Sequence, residues 1–136
     1  MSKQILIADD SPDDQALFMR ALARAGIETA IQTVEDGEEA IQYLRGEGAF
    51  SDRNKYPLPQ VLCLDIHMPR KNGIEVLRWL RTQSELRGVV VVMLAGERDL
   101  KFVREAYTLG AYSFLTKPVD RAEISLIQEA LLKAPQ

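Results

Sequence analysis

Residues 61–73 read Val-Leu-Cys-Leu-Asp-Ile-His-Met-Pro-Arg-Lys-Asn-Gly, and this stretch constrains the fold more than any other. Val61 to Leu64 is an unbroken apolar run. A half-exposed strand alternates polar and apolar residues. A short run without alternation suits a strand buried on both faces, as in a parallel sheet covered by helices. Asp65 ends the run and so places a carboxylate at the carboxyl edge of such a sheet, where open α/β sheets bind ligands. Pro69 forbids continuation of the strand, and Asn72-Gly73 marks a turn before a helix. An aspartate at this point also reads as an ordinary turn residue. The stretch alone leaves both readings of Asp65 open.

The chain around it repeats the pattern. Gln4 to Ala8 is a first buried strand, ending at Asp9-Asp10. Ser11 suits a helix N-cap, Pro12 the first helical position, and Asp13 and Asp14 the positive end of the helix dipole. The helix that follows has Ala16, Leu17, Met19 or Arg20, and Leu22 to Ala25 for an apolar face, and stops at Gly26. Thr29 to Val34 alternates and reads as a less buried strand; Asp36-Gly37 turns the chain into a helix over Glu38 to Arg45. Residues 46–59, with glycine, serine, asparagine and prolines, form a long loop within the domain. The third strand, Val61 to Leu64, leads to a helix from Gly73 to Thr82 with Ile74, Leu77 and Leu80 on one stripe and Trp79 at its edge. Val89 to Leu94 is a fourth strand, ended by Ala95-Gly96. Asp99 to Leu109 is a helix, Tyr112 to Thr116 a short strand before Lys117-Pro118, and Glu123 to Leu132 the last helix.

Strands alternating with helices imply a parallel sheet covered on both faces. Parallel strands share a direction, so Asp9-Asp10, Asp65 and Lys117 meet at one carboxyl edge. Taken singly, Asp9-Asp10 reads as a capping cluster and Lys117 as a solvated lysine. Their convergence favours a site. The formal charge is −3 with acids and bases interspersed, which is no footprint for nucleic acid or an anionic membrane. No apolar segment is long enough to cross a bilayer, and no signal-peptide pattern opens the chain, so a cytoplasmic protein is the expectation. Cys63, the single cysteine, lies in the buried run and reads as a core residue.

These motifs resemble the receiver domain of two-component response regulators: Ile-Leu-Ile-Ala-Asp9-Asp10, Leu-Asp65-Ile-His-Met-Pro69-Arg-Lys-Asn-Gly73, Gly110-Ala111 before the fifth strand, and Lys117-Pro118. They span residues 3 to about 133. The loop after Arg45 and the ending Phe-Leu-Thr-Lys-Pro-Val-Asp further resemble small stand-alone receivers that partner bacterial phytochrome-type kinases. The resemblance implies a doubly wound, flavodoxin-like five-stranded parallel sheet of order 2-1-3-4-5 with five helices. It also implies one receiver domain over residues 1–136 with no output domain, and a signalling protein with at most slow self-dephosphorylation. Asp65 would accept a phosphoryl group from a kinase phosphohistidine. Asp9, Asp10, Asp65 and the backbone carbonyl of His67 would hold Mg²⁺, with Asp10 favoured as the direct ligand and Asp9 acting through water. Lys117 would pair with the phosphoryl oxygens.

The residue types fit that chemistry. Phosphoryl transfer depends on positioning and charge stabilisation, and clustered carboxylates raise one another's pKa unless a hard cation intervenes. The lone histidine, His67, is expected to place its ring at the pocket mouth, where it could influence the acyl-phosphate lifetime. Glu97 reads equally as a residue of that mouth or as a solvated acid at a helix start.

One position breaks the pattern. Receivers usually carry Ser or Thr at the end of the fourth strand, and counting back from Lys117 gives Ala95, followed by Gly96. The associated aromatic position on the fifth strand is Phe114. A hydrogen bond to a charged acceptor is worth about 1.5–3 kcal/mol. Its loss is expected to weaken coupling to the surface of the fourth helix, fifth strand and fifth helix without abolishing phosphorylation. The alternative is a phosphorylation-independent interaction module. An aspartate-nucleophile phosphohydrolase is disfavoured by His67, which stands where the common version of that chemistry places a second aspartate. A flavin site is disfavoured by the acidic edge. Expected partners are a histidine kinase or phosphotransfer protein near Asp13-Asp14, and a protein target or second copy on the fourth-helix to fifth-helix face, with Phe102, Tyr107 and Tyr112 as candidate contacts. Direct nucleic-acid and membrane contacts are not expected.

Overall fold

The apolar runs assemble into the sheet that their lack of alternation predicts. The computed structural model describes residues 4–135. Its strands are β1 (Gln4–Ala8), β2 (Ala30–Val34), β3 (Val61–Asp65), β4 (Val90–Ala95) and β5 (Ser113–Thr116). All neighbours pair in parallel, in the order β2-β1-β3-β4-β5. Every residue of β1 and β3 is buried. β2 has one neighbour, and Val34 alone of its residues is fully buried. The chain runs from β1 out to β2 and returns to β3 on the other side, so a crevice opens beyond the carboxyl ends of β1 and β3.

Helices cover both faces: α1 (Pro12–Arg24), α2 (Gly37–Arg45), α3 (Gly73–Leu80), α4 (Val103–Thr108) and α5 (Ile124–Lys133). One core joins Leu6, Leu64, Met93 and Val91 to residues of α2 and α3. The other joins Ile5, Ile7, Cys63 and Leu115 to Phe18, Leu22 and Ile127. Burying each such side chain contributes about 1.5–3 kcal/mol. Burial pushes the Cys63 thiol well above its usual range, which suits an inert core residue.

The inward face of α1 differs from the expected one. Gln15, Phe18 and Leu22 are buried, whereas Leu17 is 53% and Met19 37% exposed. Gln15 carries the difference, because its amide nitrogen donates to the carbonyls of Asp9 (2.7 Å) and Val34 (2.9 Å) and so turns inward. Helix four is also shorter than its apolar spacing suggests. Residues 97–102 form a 3₁₀ segment, and regular helix begins at Val103. Asp99 turns inward there, its carboxylate accepting from the Gly96 N–H (2.8 Å). β4 runs one residue further than expected and includes Ala95.

The long loop packs onto the domain. Arg53 donates to the carbonyls of Tyr43 (2.8 Å), Leu44 (2.8 Å) and Tyr56 (3.1 Å), which closes the end of α2. Phe50 and Tyr56 pack their rings around Tyr43. Among the described residues, no helix is long and apolar enough to cross a membrane.

Candidate functional site

Strand direction brings the polar strand ends together. The register pairs Ala8 with Leu64, Asp65 with Leu94, and Ala95 with Thr116. Asp9, Asp65 and Lys117 therefore emerge at the same edge. Asp9 follows β1 and accepts from the Ser11 N–H (3.0 Å). Ser11 in turn caps α1 by accepting from the Asp14 N–H (3.2 Å).

The Lys117 ammonium sits among carboxylates: 2.8 Å from Asp9 Oδ2, 2.9 Å from Asp65 Oδ2 and 3.2 Å from Asp14 Oδ2. Asp9 and Asp65 are buried; Asp10 is exposed. One carboxylate oxygen from each of Asp9, Asp10 and Asp65 lies within 4.8 Å of the others. Burial, more than any other effect, pushes the Asp65 carboxyl up to about 6; Lys117 opposes the shift and the Asp9 charge adds to it. Burial pulls the Lys117 ammonium down, but its bonds to Asp9 and Asp65 outweigh this and hold it above the usual lysine range. The site thus has more negative charge than one ammonium balances. Its donors are all hard oxygens, which fits a hard divalent cation such as Mg²⁺.

The loop after β3 is held from two sides. A Cβ on Gly73 would lie 2.2 Å from the Asp65 carbonyl, so α3 starts against the end of β3 only because residue 73 is glycine. The Gly73 N–H donates to the Ile66 carbonyl (2.8 Å). Arg70 has φ of 70° and pairs with Asp36 (3.0 Å), the residue that caps α2. The Lys117–Pro118 peptide is cis.

The His67 ring is exposed, and its Nε2 contacts Asp99 Oδ1. Glu97 is exposed and lines the same shallow depression as His67, Gly96 and Asp99. Ala95 is buried and presents only a methyl group. Phe114 is half-buried, its ring 5.8 Å from that of Tyr107. Of the candidate surface aromatics, Tyr107 is 47% exposed, Phe102 stands edge-on to His67, and Tyr112 packs against the core beneath α1 and α5.

Three residues carry more of the site than the sequence reading gave them. Asp14 reads as a helix-dipole acid yet reaches Lys117. Gln15, which the sequence reading did not single out, joins the ends of β1 and β2. Asp99 reads as a helix-start acid yet is buried beside His67. An acid three residues after a glycine at a strand end is the one sequence signal for Asp99; long-range contacts leave none for the other two.

An acidic crevice at the switch of a doubly wound sheet, faced by one lysine, defines an α/β receiver architecture. Residues 5–128 match the response regulator receiver domain family, and the chain belongs to it. It is 30% identical over 127 residues to the probable methanogenesis regulatory protein FilR2 of Methanothrix harundinacea, covering 93% of this chain and 79% of that protein. It is also 30% identical over 115 residues to response regulator Rcp1 of Synechocystis sp., covering 85% of this chain and 76% of that one. The crystal structure of response regulator RPA3017, in red light signalling of R. palustris, superposes with a TM-score of 0.81 at 34% identity, covering 93% of this chain and 90% of that one. The Mn²⁺-bound form of Rcp1 superposes with a TM-score of 0.76 at 28% identity, covering 95% and 89%.

Proposed function

We propose that this receiver accepts a phosphoryl group on Asp65 from the phosphohistidine of a kinase or phosphotransfer protein. The observation that carries the reading is Lys117 seated between Asp9 and Asp65 at the carboxyl edge, with Asp10 beside them. An Asp65 oxygen attacks phosphorus, the P–N bond breaks with its electron pair left on the donor imidazole, and an acyl phosphate forms. Lys117 stays protonated throughout and follows the charge from carboxylate to phosphoryl oxygens. Asp9, Asp10, Asp65 and the His67 carbonyl would hold Mg²⁺, which when bound neutralises carboxylate and phosphoryl charge together. Asp10 is exposed while Asp9 already bonds Lys117, which supports Asp10 as the direct ligand and Asp9 as a ligand through water.

The donor is proposed to dock near Asp13 and Asp14 at the start of α1. Similarity to a regulator of red light signalling supports a phytochrome-type kinase in that role. The α4–β5–α5 face, with Tyr107 exposed and Phe114 behind it, is the proposed surface for a protein target or a second copy. Ala95 favours a second reading, a module that binds its partner without phosphorylation.

Incubation with Mg²⁺ and acetyl phosphate, followed by intact-mass measurement, separates the two. An adduct of phosphoryl mass that vanishes in Asp65→Asn supports the first reading. No adduct from acetyl phosphate or from a histidine kinase leaves the second.

A further inference from the structure

Asp99 lies in the 97–102 segment and is 4% exposed. A buried carboxylate costs several kcal/mol unless its oxygens find partners. Its two oxygens are divided between two parts of the chain. Oδ2 accepts from the Gly96 N–H (2.8 Å), within its own segment. Oδ1 makes no hydrogen bond and has one polar contact, with His67 Nε2 in the loop that leaves Asp65. The His67 side chain is 67% exposed, so Asp99, rather than surrounding packing, fixes where the imidazole sits. Phe102 extends the contact, its ring edge-on to His67 at 6.2 Å. Among the described residues, His67–Asp99 is the polar side-chain link between residues 65–72 and 96–102. The end of β4, which lies between them, offers the Ala95 methyl.

The link reaches the centre of the site at one end and α4 at the other. The His67 N–H faces Asp65 Oδ1 at 3.4 Å, so a new group on Asp65 changes what that N–H meets. Val103, the first residue of α4, directly follows the 97–102 segment. If His67 shifts, Asp99 either follows it or loses the one polar contact of its buried Oδ1, and Asp99 carries Gly96 with it.

We infer that Asp99 is a positioning residue which, through His67, ties the Asp65 loop to the 97–102 segment, so that modification of Asp65 is transmitted to α4 along this link. The inference rests on the phosphoacceptor reading of Asp65. Each site biases a shared element that must move as a unit, which is the physical requirement for coupling.

The test compares wild type, Asp99→Asn and His67→Ala, each treated with acetyl phosphate and Mg²⁺ until intact mass shows equal adduct. Backbone hydrogen exchange over residues 97–108 is then read with and without the adduct. Wild type is expected to change its exchange by at least threefold on modification. Both variants are expected to lose most of that difference, and the double variant to lose no more than either single one. His67→Gln, which again offers a polar side chain to Asp99, is expected to recover it. His67→Ala alters an exposed side chain and decides the matter if Asp99→Asn fails to fold. An undiminished difference in the variants, or none in modified wild type, overturns the inference while the adduct upholds the phosphoacceptor. A variant that never takes the adduct places its residue in the transfer site itself and also overturns the inference. No adduct on wild type from acetyl phosphate or a kinase removes both.

Discussion

The two edges of the sheet solve the problem of buried polar groups in opposite ways. At the amino edge, backbone carbonyls meet good partners, although the neutral Gln4 side-chain Nε2 is buried without one. Arg53 takes up carbonyls at the end of α2, and the Gln60 N–H donates to the Gln4 carbonyl at 3.0 Å. At the carboxyl edge, Asp9, Asp14 and Asp65 compete for one ammonium, and Asp65 is held up at about 6. The first arrangement stabilises the fold. The second stores unfavourable charge where a cation and a phosphoryl group would relieve or exploit it.

The sharpest way to break this comparison is Asp65→Asn, which is expected to abolish the phosphoryl adduct completely in an intact-mass measurement. Lys117→Ala comes next. It leaves Asp9 and Asp65 buried without their cation, and is expected to destabilise the metal-free protein by about 3–5 kcal/mol in urea unfolding while the adduct falls sharply.

The pH dependence tests the stored charge itself. The folded Asp65 value of about 6 lies above the ordinary 3.8, so the unfolded chain releases this proton at lower pH than the folded one. The Asp65 contribution is therefore most favourable below about pH 4 and declines as pH rises through about 6, by on the order of 3 kcal/mol. In urea unfolding without divalent metal, Asp65→Asn is expected to lack this decline. An equal decline in the variant would assign the stored charge elsewhere.

Ala95→Thr sharpens the contrast within the carboxyl edge, where β4 alone of the three central and adjoining strand ends β3, β4 and β5 brings no polar group. A hydroxyl there adds about 1.5–3 kcal/mol of interaction with a charged acceptor. It is expected to enlarge the exchange difference over residues 97–108 on modification. The smallest effect is expected at the amino edge. Arg53→Ala should cost about 1–2 kcal/mol in urea unfolding and leave adduct formation unchanged. A loss of adduct would show that the two edges are not independent.

Much of this arrangement is written locally. Val61 to Leu64 and Val90 to Leu94 lack alternation because both their faces are covered, and that fact survives folding unchanged. Asp65 and Lys117 could be placed at one edge from strand direction alone. The α1 face could not: apolar spacing selects Leu17, which is exposed, and passes over Gln15, whose burial depends on carbonyls at the ends of two other segments. The same limit applies to helix four, where spacing suggests regular helix but Asp99 turns the chain inward.

By itself, the sequence determined the alternating α/β order, the acids and the lysine at the strand ends, and the methyl where a hydroxyl is usual. Tertiary structure decided which polar side chains share a partner: Asp14 with Lys117, Gln15 with two carbonyls, and Asp99 with His67. The physical reason is range. Hydrophobic pattern and turn chemistry act over a few residues and leave a periodic trace. A hydrogen bond or ion pair between distant segments leaves none, because any residue that can reach the same atom would satisfy it.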